Sequence, residues 1–477
     1  MPYKDVRDFI AKLGEEGEPI RIAEEVDWNL EAGAILRRSA EAGLPAVLFE
    51  KIKGYPEGFR LFGGGAASFK RMAISLDMSP DTPPKELMDE YLRRRQNPIK
   101  PVIVKDGPCK ENVEIGDEVD LLKLPVPMIH GGDGGRFIGT WHATITKDPE
   151  TGWMNWGMYR HMVMTKNAVG ILLASPRRHF LHTYNKEYAP KNKPIPVAIA
   201  IGMEPVSALT ATSPMPLGVA EVDAAGGLRG EPIELIKCET IDILVPATSE
   251  IIIEGEVKMD DTMEEGPFGE YTGYVGAIRA PRPAIRVKAL TYRNNPILTF
   301  SNMGIPVDDN CSASLTRGSE LLEALRQQGL PVVALNYPPE CSYTLAIVSV
   351  KKTYNGVAAD VAHVIWGTSS AGHNTPYIIV VQDDVDPFNI AQVFHALATK
   401  CHPIRDIHRT EQFSTEKLIP WLSQYERENQ MGAAAYFDCT WPLDWDPKDV
   451  PQRVSLAESY PAEIQQKALD MWRKYGH

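Results

Sequence analysis

Apolar residues near the N-terminus fall on one face of a helix. Val6, Phe9, Ile10 and Leu13 follow helical spacing, which predicts an amphipathic helix. A second helix is expected to run from a cap at Asn29 to Gly43, followed by a strand at AVLFEKI, residues 46–52. PKELMDEYLRRRQ, residues 84–96, predicts another helix, and Pro98 and Pro101 mark a boundary after it.

From about residue 110 the pattern shifts to short strands with turn signals. FIGTWHATITKD and WMNWGMYRHMVM flank the turn DPETG, a hairpin pattern. PVAIAIG (196–202), EIIIEGEV (250–257) and AIRVKALTYR (284–293) are further strands. In the last, Ile285, Val287 and Ala289 alternate with Arg286 and Lys288, the mark of a half-buried strand. So many strands with Gly and Pro between them predict a barrel or sandwich. From about 312 the pattern becomes βαβα. A helix through SELLEALRQQ stops at Gly329; a strand at 344–352, a helix at 356–366, a strand at 377–383 and a helix at 389–400 follow. Ile464, Ala468, Met471, Trp472 and Tyr475 share one face of a last helix, which must dock on its own core or on a second subunit.

Composition narrows the class. The chain has 477 residues, 43% hydrophobic, with a formal net charge of −13. No basic surplus exists to neutralise nucleic-acid phosphates or an anionic membrane, although one cationic pocket suffices for an anionic substrate. Six cysteines stand far apart without a CxxC pair, and no apolar run approaches the ~18 residues of a membrane span. These features read as a cytosolic protein with reduced thiols.

Three segments hold candidate chemistry. In MEEGPFGEYTGY (263–274), Glu264, Glu265 and Glu270 crowd a Gly-Pro-Phe-Gly turn. An offset of five would put Glu265 and Glu270 on opposite faces of a regular strand, and the turn lifts that constraint. Two carboxylates in one low-dielectric pocket cannot both ionise freely, so one would be able to donate a proton. Taken alone, the segment reads more readily as a solvated acidic loop. In NWGMYRHM (155–162), Arg160 has the planar fork that matches a carboxylate, or is a surface strand arginine; a bend is needed to bring Asn155 and Arg160 into one pocket. In SPRRHFLHTY, His179 and His182 form a weak HxxH, more often structural than metal-binding. With Asn155 and Glu221, a histidine would complete a mixed N/O donor set suited to Mn²⁺. GGGAASFK (63–70) and GGDGGRF (131–137) lack the P-loop and GxGxxG patterns and read as tight turns. Asp383 and Asp384 read as a cap for the helix near Asn389.

Taken in order, NWGMYRHM, KCETIDILVPATSEIIIEGEV (237–257), EEGPFGEYTGYVG (264–276), TYRNNPIL (291–298) and DDVDPFNIAQVFHALATK (383–400) resemble the UbiD family of decarboxylases over nearly the whole chain. The resemblance implies an α+β fold. Its expected parts are an N-terminal α/β segment (1–109), a central split β-barrel that binds the flavin and metal (110–305), a C-terminal α/β domain (306–440) and a tail with a docking helix (441–477). It also implies prenylated FMN, supplied by a separate flavin prenyltransferase and held through Mn²⁺ and K⁺. The implied metal ligands are Asn155, His179 and Glu221, with His182 a competitor for the histidine. Asn155, Trp156, Gly157, Met158, Tyr159, Arg160, Arg178, His179, Ser213, Met215 and Glu221 would line the cofactor, Ser213 and Met215 near K⁺. Arg160, Glu265 and Glu270 match the catalytic set: Arg160 holding the substrate carboxylate, Glu265 holding Arg160, and Glu270 protonating the carbon left by CO₂ within a covalent flavin adduct. Substrate contacts are expected from Asn302 and Met303. A family lysine has no counterpart in SSAGHNTPY (369–377). The substrate class is an aromatic or conjugated carboxylic acid, and the assembly a homodimer or homohexamer. A redox flavoprotein using plain FMN and NAD(P)H, or a scaffold subunit of a larger complex, are the rival readings.

Overall fold

Alternating apolar positions in the middle of the chain build a nine-stranded sheet that curls on itself. The computed structural model describes residues 3–173, 179–276, 278–305, 307–368 and 371–476. Across the sheet the strands are Phe137–Gly139, His161–Thr165, Ala168–Gly170, Ala280–Tyr292, Ile251–Glu265, Ile195–Ile201, His142–Lys147 and Met154–Gly157, with Asn112–Ile115 paired beside Ala280–Tyr292. Strand Ile195–Ile201 explains why its sequence is apolar throughout. Ile195, Val197, Ile199 and Ile201 enter the core inside the curl, and Ala198 and Ala200 enter a second core under the helices outside it. Both faces are covered, so the two-residue period is hidden in a continuous apolar run. Each such buried Ile side chain contributes roughly 1.5–3 kcal/mol.

Two further sheets flank the curl. The N-terminal one has the order Pro19–Val26, Ala46–Ile52, Arg60–Gly63, Ile297–Phe300, its last strand supplied from far along the chain. The C-terminal one has the order Val332–Asn336, Leu345–Val350, Tyr377–Gln382, Met431–Cys439, Ile407–Ser414. Helix Cys311–Gln327 packs on this sheet and shares a core with Leu87, Met88 and Tyr91 of helix Pro84–Arg95. The fold is thus mixed α+β around a curled half-barrel. No helix among the described residues is long and apolar enough to cross a membrane.

Several local expectations need correction. Asn29 does not cap the second helix: the cap position is Leu30, at φ 71° and without a side-chain bond, while Asp27 accepts from the Asn29 amide instead. Asn389, not Asp383 or Asp384, caps helix Ile390–Thr399, and Asp384 is taken by Lys400 at 2.7 Å. WMNWGMYRHMVM is not one strand; it breaks at Met158–Arg160. Helix Cys311–Gln327 begins well before Ser319, because Ser312, Ser314, Thr316 and Gly318 are small enough to be buried. The last helix, Ala462–Lys474, leaves Ile464, Met471, Trp472 and Tyr475 exposed, so its apolar face is not covered by the chain's own core.

Glu250 joins the curl to the N-terminal helix Val6–Glu15. Its buried carboxylate accepts from Arg7 Nε at 2.7 Å, Arg7 Nη2 at 2.8 Å and the Ile297 amide at 3.0 Å, and Arg293 lies 3.3 Å away. Glu250→Ala leaves two arginines without this charge. The expected loss is about 3 kcal/mol, the low end for a broken buried pair because Arg7 keeps some solvent, read from denaturant unfolding. Glu250→Gln is expected to lose less.

Candidate active site

The curled sheet has a seam, and two short linkers cross it. Strand Phe137–Gly139 lies at one end of the sheet, and its successor His142–Lys147 lies second from the other end. Only Thr140 and Trp141 connect them. Met154–Gly157 is the opposite edge, and its successor His161–Thr165 returns to the first side through Met158, Tyr159 and Arg160. Both linkers span the seam, and both line a cavity of about 200 Å³. This is the bend that an odd offset between Asn155 and Arg160 required; both residues are on the cavity wall.

Arg160 is clamped from two sides. Its Nε and Nη2 donate to the two oxygens of Glu265 at 2.9 and 2.8 Å, and its Nη1 donates to Glu270. Glu265 ends strand Ile251–Glu265 and is fully buried behind the arginine. Gly266, at φ 80°, reverses the chain there, a conformation that favours glycine. Phe268–Gly269 then pairs with Val275–Gly276, and Glu270 follows in the turn between them. Gly276 leaves room for Glu270, since a Cβ there would lie 2.4 Å from its Cγ. Glu264 points away and is exposed, so the acidic cluster is divided between solvent and cavity. Burial pushes the Glu270 carboxyl up to about 7 against the pull of Arg160, and Glu416 and Glu265 push the same way. Burial opposes the charge on Arg160, but Glu270 and Glu265 outweigh it and raise its pKa.

A second polar group lines the same cavity. Asn155 Oδ1 lies 3.2 Å from His179 Nδ1, and Glu221 accepts from the Trp156 amide at 2.8 Å. Burial pushes the Glu221 carboxyl up to about 8. Asn155 Nδ2 is buried without a hydrogen-bond partner among the described residues. His182 is exposed and lines a different depression beside Lys186 and Asp223. Trp156, Gly157, Met158, Tyr159, Ser213 and Met215 all line the same cavity as Asn155, His179 and Glu221. Ser213 Oγ is 2.5 Å from Tyr91 Oη. Arg178 lies outside the described residues. Among the described residues no three His, Cys, Asp or Glu side chains cluster as a metal site; the Asn155 group has one acid and one imidazole.

The facing wall was missed by sequence reasoning. Helix Cys311–Gln327 supplies Arg317, and the C-terminal region adds Tyr343, His373, Glu416 and Leu418. These positions are scattered over a hundred residues without shared spacing, and the only signal near them was the missing lysine of SSAGHNTPY, where His373 and Asn374 now line the cavity. Met303 lines it as expected. Asn302 does not: its Nδ2 donates to Gly33 O at 2.5 Å and its Oδ1 lies 2.9 Å from His130 Nε2.

Comparison with known proteins gives a consistent result. Residues 100–306 match the 3-octaprenyl-4-hydroxybenzoate carboxy-lyase Rift-related domain of UbiD, residues 311–439 its C-terminal domain and residues 10–91 its N-terminal domain. The chain is 33% identical to the pyrrole-2-carboxylic acid decarboxylase of Pseudomonas aeruginosa, over 99% of this chain and 98% of the relative. It is 32% identical to ferulic acid decarboxylase 1 of Saccharomyces cerevisiae, over 100% and 99%. The closed form of Sedimentibacter hydroxybenzoicus vanillic acid decarboxylase superposes with a TM-score of 0.89 at 32% identity, covering 99% and 100% of the two chains. An evolved dimeric form of the UbiD-class enzyme HmfF from Pelotomaculum thermopropionicum, in complex with prFMN, gives 0.80 at 29% identity, covering 95% and 97%.

Glu221 makes a prediction for the metal-free protein. Its folded pKa of about 8 lies above the ordinary 4.5, so the folded chain keeps a proton that the unfolded chain releases. Stability from this group is full below pH 4.5 and falls by up to about 1.4 kcal/mol per pH unit as pH rises towards 8. Glu221→Gln is expected to flatten the pH dependence of urea unfolding between pH 5 and 8. An unchanged slope would show that Glu221 stays ionised when folded.

Proposed function

The chain belongs to the UbiD family of carboxy-lyases, and from that footing we propose that it decarboxylates an aromatic, heteroaromatic or α,β-unsaturated carboxylic acid, reversibly and without net oxidation, using prenylated FMN. The observation that carries this reading is the Arg160 clamp. A cation fixed by two buried glutamates, one with its pKa pushed to about 7, unites a carboxylate anchor and a proton donor at one cavity wall. A flavin in the cavity is supported by the prFMN complex of the HmfF relative.

The remaining polar residues of the cavity fit a flavin phosphate held through a divalent cation. Asn155 Oδ1, His179 Nδ1 and the Glu221 carboxylate are hard N/O donors of the kind that suits Mn²⁺. A buried carboxyl pushed up to about 8 and an orphaned amide nitrogen beside it are groups that lack a cation and an acceptor. Residues 155–160 line the same cavity and would follow the cofactor's phosphate and ribityl chain; Ser213 and Met215, also on its wall, would help hold K⁺.

Bound prenylated FMN supplies the electron sink for the pair left behind when CO₂ departs. The rest falls to the chain. Arg160 orients the substrate carboxylate with its planar fork, and Glu265 keeps that fork rigid. A second anion beside Glu270 further favours its neutral form, so Glu270 arrives at the chemical step with a proton. It donates that proton to the carbon that has lost CO₂ and takes it back in the reverse direction. The exposed face of helix Ala462–Lys474 is a surface for a second copy of the chain in a dimer or hexamer.

Co-production with a flavin prenyltransferase and a screen of aromatic acids for released CO₂ tests the whole reading. Glu270→Gln is expected to keep cofactor and metal while lowering turnover by about 10²–10⁴-fold; deuterium exchange into the product at the wild-type rate would remove Glu270 from the role. In the wild type, kcat/KM should fall as pH rises through about 7, where Glu270 of the free enzyme loses its proton. His179→Ala should lose the metal and His182→Ala should retain it, by metal analysis of the purified proteins.

A further inference from the structure

The GGDGGRF turn contains a buried acid that is paired with the histidine just before it. The Asp133 side chain is fully buried, and His130 Nδ1 lies 3.1 and 3.0 Å from its two oxygens. The same carboxylate accepts from the His130 amide at 2.9 Å and from the Gly269 amide at 2.8 Å, and two backbone donors favour its charged form. On the other edge of the ring, His130 Nε2 lies 2.7 Å from the Met303 carbonyl and 2.9 Å from Asn302 Oδ1. Asn302 Nδ2 donates to the Gly33 carbonyl at 2.5 Å, which leaves the Asn302 oxygen turned to the ring. Both ring nitrogens therefore face acceptors. A neutral imidazole has one N–H and one lone pair; the imidazolium has two N–H groups and satisfies both edges. Burial lowers the His130 pKa, but Asp133, the Met303 carbonyl and Asn302 outweigh it and raise it above the ordinary 6.5.

These contacts tie two walls of the cavity together. Gly269 stands between Phe268 and Glu270, which both line the cavity, and Met303 lines it from another loop. The Phe268 ring meets the His130 ring edge-on, with 5.5 Å between centres. The approach leaves no room for a side chain at Gly269, where a Cβ would lie 2.5 Å from His130 Nδ1, and the Pro267 carbonyl accepts from the Gly134 amide at 2.8 Å. Other charged groups on these elements are engaged elsewhere. Glu270 accepts from Arg160, and Arg37 pairs with Asp308 at 3.3 Å while donating to the Asn302 carbonyl. Asp309 accepts from the Ala66 amide, and Arg136 donates to the Val126 carbonyl and lies over the Trp28 ring. Asp133 is the acid that contacts the ring. The His130 side chain is 21% exposed, so water reaches it and its proton can exchange. When that proton leaves, the remaining N–H stays on Nδ1, because a lone pair there would face the Asp133 charge. The Nε2 lone pair then faces the Met303 and Asn302 oxygens, and the contact with that loop becomes repulsive.

We infer that His130 is a positioning residue for the proton donor: as an imidazolium paired with Asp133 it ties the turn that carries Glu270 to the loop that carries Met303, and it releases that loop when its proton leaves. The effect on turnover rests on the decarboxylase reading above; the coupling of the two loops does not.

The first test needs no substrate. Full-length protein prepared without manganese, carrying ring-labelled histidine and methyl-labelled methionine, is titrated by NMR, with signals assigned by their loss in His130→Gln and Met303→Leu. In the wild type the His130 ring is expected to titrate above 6.5, and the Met303 methyl signal to follow the same curve. Asp133→Asn removes the charge and offers an amide N–H to Nδ1, so a neutral ring keeps its Nε2–H on the Met303 carbonyl. In that variant the ring should titrate lower by about one pH unit or more, and the Met303 signal should no longer follow it. A wild-type ring that titrates below 6.5 overturns the inference. So does a Met303 signal that ignores the ring in the wild type or still titrates in Asp133→Asn. The second test uses the holoenzyme and an acid found to release CO₂. His130→Gln should lower kcat by about 10–10²-fold with KM held within about threefold, and should retain prenylated FMN by intact mass spectrometry. An unchanged kcat, or a loss carried by KM or by missing cofactor, overturns the positioning role. Release of CO₂ from no acid at all defeats the decarboxylase reading, and the NMR titrations still decide the coupling of the two loops.

Discussion

The structure around the cavity depends on keeping one guanidinium charged inside the protein. Arg160 is buried where an isolated charge is not tolerated, and the two glutamates that compensate it come from one short stretch, 265–270. That stretch must leave its strand after Glu265, reverse at Gly266 and return Glu270 to the same pocket. Arg160 itself must leave its own sheet edge, which it does because its linker crosses the seam of the curl. The curl, the break in the hairpin strand and the Gly-Pro-Phe-Gly turn therefore serve a single electrostatic requirement. The same burial that makes Arg160 need its partners raises the pKa of Glu270, so the paired guanidinium and the perturbed carboxyl arise from one cause.

Charge balance around the cavity points in the same direction. Glu221, Glu265, Glu270 and Glu416 are acids close to its walls, and Arg160 and Arg317 are the facing cations. Under the proposed function, an anionic cofactor phosphate and a carboxylate substrate entering such a space would call for added positive charge and for protonation of an acid. The Asn155–His179–Glu221 group suits the first need, and the neutral form of Glu270 the second. Relatives near 30% identity retain the same architecture over nearly the whole chain, as expected when a fold depends on the pattern of buried positions more than on particular residues.

Much of this protein was legible from its sequence because local physics decides local structure. The strand at Ala46–Ile52 and the helices near Val6 and Pro84 follow from periodicity, which needs no tertiary information. Arg160, Glu265 and Glu270 join as a set only through the resemblance to the UbiD family; taken alone, the acidic segment reads more readily as a solvated loop and Arg160 as a surface strand arginine. Tertiary structure decided what periodicity cannot carry. It buried Glu265 and Glu270 while leaving Glu264 in solvent, it put His179 on the cavity and His182 outside it, and it turned Asn302 into a brace between Gly33 and His130. It also brought Arg317, Tyr343, His373 and Glu416 to one wall from positions up to a hundred residues apart. Burial and approach across such distances are set by how whole sheets pack, and no spacing along the chain records them.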